Sequence, residues 1–240
     1  MRVKHYMIDY YFDSWKKFVQ KRDNAIEEIT YKDERDKFIL ILNARVNSIC
    51  DDILILVKNE RCSSCQILMR SAFETYIDLK CLVDDPSYLG IMHQAQRKEE
   101  DRYYKHYSQE NPYYGSLTKI ELANIREKIS QDYDKSSILK ICEKFEKAKE
   151  LNVYRTIYNN LCLFTHGNIT ALESKYFDNG KICFSTKATD IELNFILSST
   201  INLAIASTIE LVAYFGFDER KINSFKDIIT NNKAFAKSHV

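Results

Sequence analysis

Two prolines, Pro86 and Pro112, and five glycines are all the backbone punctuation in a chain of 240 residues. Proline breaks a helix interior and glycine costs it about 1 kcal/mol relative to alanine. A chain with so little of either is free to form long helices. Apolar side chains recur at helical spacing through most of it. Residues 8–28 carry Ile8, Tyr11, Phe12, Trp15, Phe18, Val19 and Ile26. Residues 32–59 carry Phe38, Leu42, Ile49, Ile53, Leu56 and Val57, and a third helix over 62–85 is stopped by Pro86. A weaker amphipathic pattern covers 87–110, and short helices are expected at 117–130 and 136–150, with Ser136 and Ser137 as capping residues of the second. Helices over 151–166, 189–215 and 218–232 complete the series. Only 175–184 reads differently: Asn179-Gly180 between aromatic and β-branched residues signals a hairpin. The expected fold is all-α, a single domain over 1–240 built as a bundle of about eight helices with one short hairpin. Its core spans about 32–215, with the helices at 8–28 and 218–232 packed on it.

Composition narrows the function classes. Hydrophobic residues make up 45% and charged residues 29%, the balance of a globular protein and not of a disordered one. The formal net charge of +1 implies no field that would draw nucleic acid or anionic membrane to the whole surface. The seven cysteines are an odd number, and the tyrosine-rich N-terminus has no apolar leader. Reduced thiols in a cytoplasmic protein are therefore expected, with Cys50, Cys81, Cys142 and Cys162 as core residues. The uncharged run from Leu193 to Ile209 is shorter than the roughly 20 apolar residues a membrane span needs, and it is interrupted by Asn194, Ser198, Thr200, Asn202 and Ser207. A buried central helix is the expectation, and no membrane.

Several motifs invite chemistry and have plainer readings. Cys62 and Cys65 form a CxxC without the second ligand pair of a zinc site or the βαβ context of a redox pair. His5, His93 and His239 show no metal-ligand spacing. Tyr103, Tyr104, Tyr107, Tyr113 and Tyr114 stand among Arg97, Arg102, Lys105 and His106, a composition suited to stacking on single strands. Glu99, Glu100, Asp101 and Glu110 cancel that charge, so a helix interface or solvated face is expected. The chain has no Walker motif, no dinucleotide-binding glycine motif and no GxSxG elbow. No cofactor or metal is expected.

Two places are more informative. In "CQILMRSAFETYI", Arg70 and Glu74 are the only charges on an otherwise apolar helix, one turn apart. A buried charge needs a partner, and Arg preceding Glu is the weaker order for a helix pair, so a third group from another helix is expected. In "YRTIYNNLCLFTHGN", Arg155, Asn159, Cys162 and His166 fall on one stripe of a regular helix. Val153, Ile157, Leu161 and Phe164 fall beside it, toward the core. Gly167 ends the helix. The dipole there favours a protonated histidine, which is one full account of His166. General acid or base work is the other. Arg155 lies about 16 Å from His166 along the axis and Asn159 roughly 10 Å, so a partner for the imidazole is expected from Arg70 and Glu74 or from a second subunit.

"LMRSAFETYIDLKCLV" followed some eighty residues later by "YNNLCLFTHG" resembles an uncharacterised, largely helical bacterial family, domain of unknown function 5677, over roughly 40–215. Tyr158, Leu161, Cys162, Phe164 and His166 match the later of its two patterns. More distantly, a helix ending in Arg-x(4–6)-His is similar to the HEPN superfamily, whose toxin and phage-defence members are metal-independent RNases, often dimeric. That resemblance implies an arginine and a histidine acting together on the RNA 2′-hydroxyl and the scissile phosphate. Here Asn159 stands at the arginine position. The resemblance implies a HEPN-like protein of a bacterial defence or toxin–antitoxin system, an endoribonuclease or RNA-binding protein. His166, Arg70, Glu74 and Asn159 would be its catalytic candidates, and Arg155 and Tyr158 its binding candidates. RNA, an antitoxin-like protein and a second copy of the chain are the implied partners. The alternatives are a non-catalytic helical scaffold and a small-ligand sensor with a pocket beside Glu74.

Overall fold

The computed structural model describes residues 2–111, 115, 117–132, 134, 138–184 and 188–238. It is all-α with one two-stranded hairpin. The chain runs through α1 (Arg2–Glu27), α2 (Glu34–Lys58), a 3-10 turn (Cys62–Ser64) leading into α3 (Cys65–Asp84), α4 (Tyr88–Lys105) and α5 (Lys119–Asp132). It continues through α6 (Ile141–Lys147), then α7 (Leu151–Val153), a π turn (Tyr154–Tyr158) and α8 (Asn159–Thr165), which follow one another without a break. Next come α9 (Ile169–Tyr176), β1 (Phe177–Asp178), β2 (Lys181–Ile182), α10 (Asp190–Tyr214) and α11 (Glu219–Lys237).

The central element is α10, packed against α1, α2, α3 and α11. It is long and apolar enough to cross a membrane by length and composition, yet most of it is buried within the protein. Its polar residues explain how it sits there. Ser207 and Thr208 return their hydroxyls to the Ala204 carbonyl and accept from Asn43 of α2. Asn194 accepts from Tyr11 of α1 at 2.7 Å and donates to the Ala236 carbonyl of α11. Each buried polar atom so paired avoids the 1–3 kcal/mol or so that an orphan costs, and each pairing fixes which helix lies beside α10. A capping box closes the helix start, Glu192 N–H to Thr189 Oγ1 and Thr189 N–H to Glu192 Oε2. One apolar cluster runs from Met7 to Phe235.

The boundaries depart from expectation in instructive places. The first helix starts at Arg2, ahead of residue 8, and the last continues to Lys237, beyond 232. The extensions pack on each other, with the Tyr6 ring 5.8 Å from that of Phe235, which also stacks on Tyr10 at 3.6 Å. The expected helix over 136–150 forms only as Ile141–Lys147, and Ser136 and Ser137 lie outside the described residues. The count of about eight helices misses α9, which occupies the start of what reads as loop and hairpin. The hairpin is two residues per strand, with Asn179 and Gly180 both at positive φ, as a type I′ turn requires.

Candidate functional site

Arg70 and Glu74 lie one turn apart on α3, against which α8 packs. What α8 presents to them depends on the π turn before it. The Asn159 N–H reaches the Tyr154 carbonyl five residues back. The Thr156 hydroxyl donates to the Asn152 carbonyl at 2.7 Å, a competition with the backbone that bends helices. Tyr154 and Tyr158 stack at 5.5 Å and both rest on Phe145 of α6. The extra residue in the turn rotates everything before it by roughly 100° relative to a plain α-helix. The regular wheel is thereby corrected. Tyr158 turns inward, 2% exposed, and Arg155 leaves the stripe for solvent.

At the other end of α8, His166 is the capping residue. Its N–H bonds the Cys162 carbonyl at 3.1 Å, and Gly167 adopts φ +63°. The Asn168 N–H then reaches back to the Leu163 carbonyl, the long bond of a Schellman ending. Asn168 also accepts from the Thr170 N–H at 3.0 Å and starts α9. His166-Gly167-Asn168 thus ends one helix and begins the next, leaving the imidazole exposed at the corner.

Four side chains converge between α3 and α8. Arg70 Nε lies 3.0 Å from Glu74 Oε1 and donates to the Tyr158 hydroxyl at 3.2 Å. The Tyr158 hydroxyl donates to Glu74 Oε1 at 2.6 Å. Arg70 Nη1 stands 3.2 Å from His166 Nε2. A guanidinium has only donors, so this contact is a hydrogen bond when Nε2 accepts and the ring proton sits on Nδ1. The guanidinium also lies 5.5 Å over the Tyr158 ring.

The electrostatics follow from this closure. Burial and the Glu74 carboxylate push the Tyr158 phenol well up, so it stays a hydroxyl and a donor. Burial works against the Arg70 charge, but Tyr158 and Glu74 more than offset it and hold the guanidinium above its ordinary value. Arg70 Nη2 makes no hydrogen bond among the described residues. A fixed cation with unused donors next to an imidazole can bind an anion and move a proton beside it.

Of the six sequence candidates, the structure brings together Arg70, Glu74, Tyr158 and His166. Asn159 and Arg155 are exposed, and their side chains make no hydrogen bond or ion pair among the described residues. The π turn accounts for Arg155. Asn159 lies too far along the helix from its C-terminal corner. Sequence reasoning passed over Lys175 of α9. Its side chain is 9% exposed, pairs with Glu192 at 2.9 Å and lies over Phe164, so it fastens the corner that carries His166 to the start of α10. One buried lysine in an unrecognised helix leaves no signal in the sequence.

The other motifs resolve plainly. Cys62 and Cys65 are buried free thiols, and Cys62 together with burial pushes the Cys65 thiol up, away from reactivity. His93 faces Glu34 at 3.5 Å and packs edge-on against Phe38. Tyr113, Tyr114 and His239 lie outside the described residues. Tyr107 folds back on its own loop, donating to the Gly115 carbonyl. Among the described residues no group of three His, Cys, Asp or Glu side chains is placed to hold a metal.

A family model described as "Family of unknown function (DUF5677)" matches residues 36–182, more than half of the chain, and that span contains both Arg70 and His166. No curated protein and no solved structure matches. By that match the chain belongs to the family of unknown function DUF5677.

Proposed function

We propose that the Arg70–His166 pair is a metal-independent RNA-cleaving site of HEPN-like type, in a cytoplasmic protein of bacterial defence or toxin–antitoxin systems. The observation that carries this reading is the 3.2 Å approach of Arg70 Nη1 to His166 Nε2 across two helices. The helix that bears His166 has Asn159 where an arginine is expected, and α3 supplies a cation in its place. In this reading the Nη donors of Arg70 take a non-bridging phosphate oxygen and stabilise charge developing there. With Nη1 drawn to phosphate, Nε2 is free to accept the 2′-hydroxyl proton. The 2′-oxygen attacks phosphorus, the bond to the 5′-oxygen breaks, and the imidazolium returns the proton to that oxygen. The products are a 2′,3′-cyclic phosphate and a 5′-hydroxyl. Glu74 and Tyr158 are positioning residues, holding the guanidinium by Nε so that its outer edge points away from them.

The test is incubation of purified protein with end-labelled RNA in excess chelator, beside a His166→Ala control. Cleavage by wild type that the variant loses supports the reading. Cleavage equal in both, or absent in both, contradicts it. The Tyr158 hydroxyl, bonded to Arg70 and to Glu74, favours a second reading, in which the cluster clamps α8 to α3 in a non-catalytic interaction protein. Thermal denaturation of Arg70→Ala separates the two. A large loss of stability with no activity to lose supports the clamp, and a stable but inactive variant supports the enzyme.

A further inference from the structure

Between α1 and α2 lies a cleft of about 400 Å³ that shares no residue with the Arg70–His166 cluster. That volume falls in the range that holds small organic ligands. Its floor is built of two asparagines, Asn43 at 1% and Asn47 at 5% exposure. Both are rigidly held. Asn47 Nδ2 donates to the Asn43 carbonyl at 2.9 Å, and Asn43 Nδ2 donates to Ser207 Oγ of α10 at 3.1 Å. One side of the cleft is apolar, with Trp15, Val19 and Ile26 from α1 and Ala44 from α2.

The charges in the cleft select its ligand. Arg22 gives Nε and Nη2 to Asp23 at 2.9 and 2.7 Å and Nη1 to Asn47 Oδ1 at 3.1 Å. Its charge is thereby balanced inside the cleft. Asp51 also lines the space and has no ion-pair partner among the described residues. One uncompensated carboxylate remains beside an aromatic ring and an apolar wall. Anions are disfavoured by the two aspartates, and fully apolar molecules would leave the Asp51 end unused.

We propose that this cleft binds a small organic monocation, an amine or guanidinium on an apolar or aromatic body. The ammonium end would pair with Asp51 and the body would lie against Trp15 and Val19.

The chain contains a single tryptophan, and it lines the cleft, so its fluorescence reads occupancy directly in the intact protein. Titration with phenethylamine should give a saturable change. Phenethyl alcohol, the neutral counterpart, should bind more weakly. Asp51→Asn, an exposed position, should weaken amine binding by about fivefold, the upper end of what a part-exposed ion pair contributes. Ala44→Leu should abolish the saturable change by filling the mouth. The proposal is overturned if no saturable change occurs, if alcohol and amine bind alike, or if Asp51→Asn binds the amine as well as wild type. It is also overturned if inorganic phosphate gives the saturable response, which would make Arg22 an anion site.

Discussion

Helix α3 carries two polar clusters, and they are built on opposite rules. Toward its C-terminal end Asp78, Lys80 and the capping residue Asp85 are each matched by an opposite charge. Asp78 accepts from Lys144 at 2.8 Å and from the Tyr88 hydroxyl at 2.5 Å, Lys80 pairs with Glu150, and Asp85 pairs with Lys147 at 2.6 Å. These cross-ties hold α6 and the start of α7 against α3. Toward the N-terminal end, Arg70 has one carboxylate, and its other partners are a phenol and an imidazole. The first cluster has spent its charges on each other. The second leaves guanidinium donors and an exposed ring at a helix corner. Residues 70, 74 and 78 share one stripe of one helix, so helix position does not distinguish a clamp from a site. Saturation does.

Mutation separates the two clusters, most forcefully at His166. His166→Ala should lower RNA cleavage by about 10²–10⁴-fold, the span of general acid–base catalysis, and leave the melting temperature nearly unchanged, because the ring is exposed. Asp78→Ala should do the reverse. It leaves Lys144 and the Tyr88 hydroxyl without their acceptor, a loss of about 1–3 kcal/mol in denaturant unfolding, with cleavage intact. If Asp78→Ala removed activity as strongly as His166→Ala, the division between the clusters would fail.

Tyr158→Phe sharpens the boundary, since its hydroxyl belongs to both descriptions. The ring stays packed on Phe145, and the lost hydrogen bonds should cost about 1 kcal/mol. Cleavage should fall through a looser Arg70, and unchanged cleavage with reduced stability would return Tyr158 to the structural side. The smallest effect is in acid. Lys147 and Ser87 hold the Asp85 carboxyl at about 2, below its ordinary value. A depressed carboxyl stabilises the fold above its unfolded pKa and loses that contribution as pH falls through the folded one. The Asp85–Lys147 tie should therefore weaken between about pH 4 and pH 2. Acid titration of unfolding should show Asp85→Asn with a shallower dependence than wild type in that window.

Most of the fold was legible in the sequence because the few glycines and prolines leave apolar periodicity as the dominant signal. The central place of 189–215 followed from its uncharged run, and the cross-helix need of Arg70 followed from the cost of a charge on an apolar helix. What was illegible has local physical causes. The π turn is produced by Thr156 bonding Asn152 and by Tyr154 and Tyr158 packing on Phe145, a tertiary contact that no single-helix wheel contains. It alone misplaced Arg155 and concealed the inward turn of Tyr158. Asn168 serves two helices within three residues, and that compression hid α9 and with it the buried Lys175.

In the proposed function Arg70 and His166, from different helices, act as one unit. A double-mutant cycle on RNA cleavage measures this directly, using His166→Ala, Arg70→Gln and the combination under chelator. Each single change should give a large loss and the double variant should be about as slow as the worse single, as for residues that act together. Losses that multiply in the double variant, or wild-type protein that leaves RNA intact, would contradict that function.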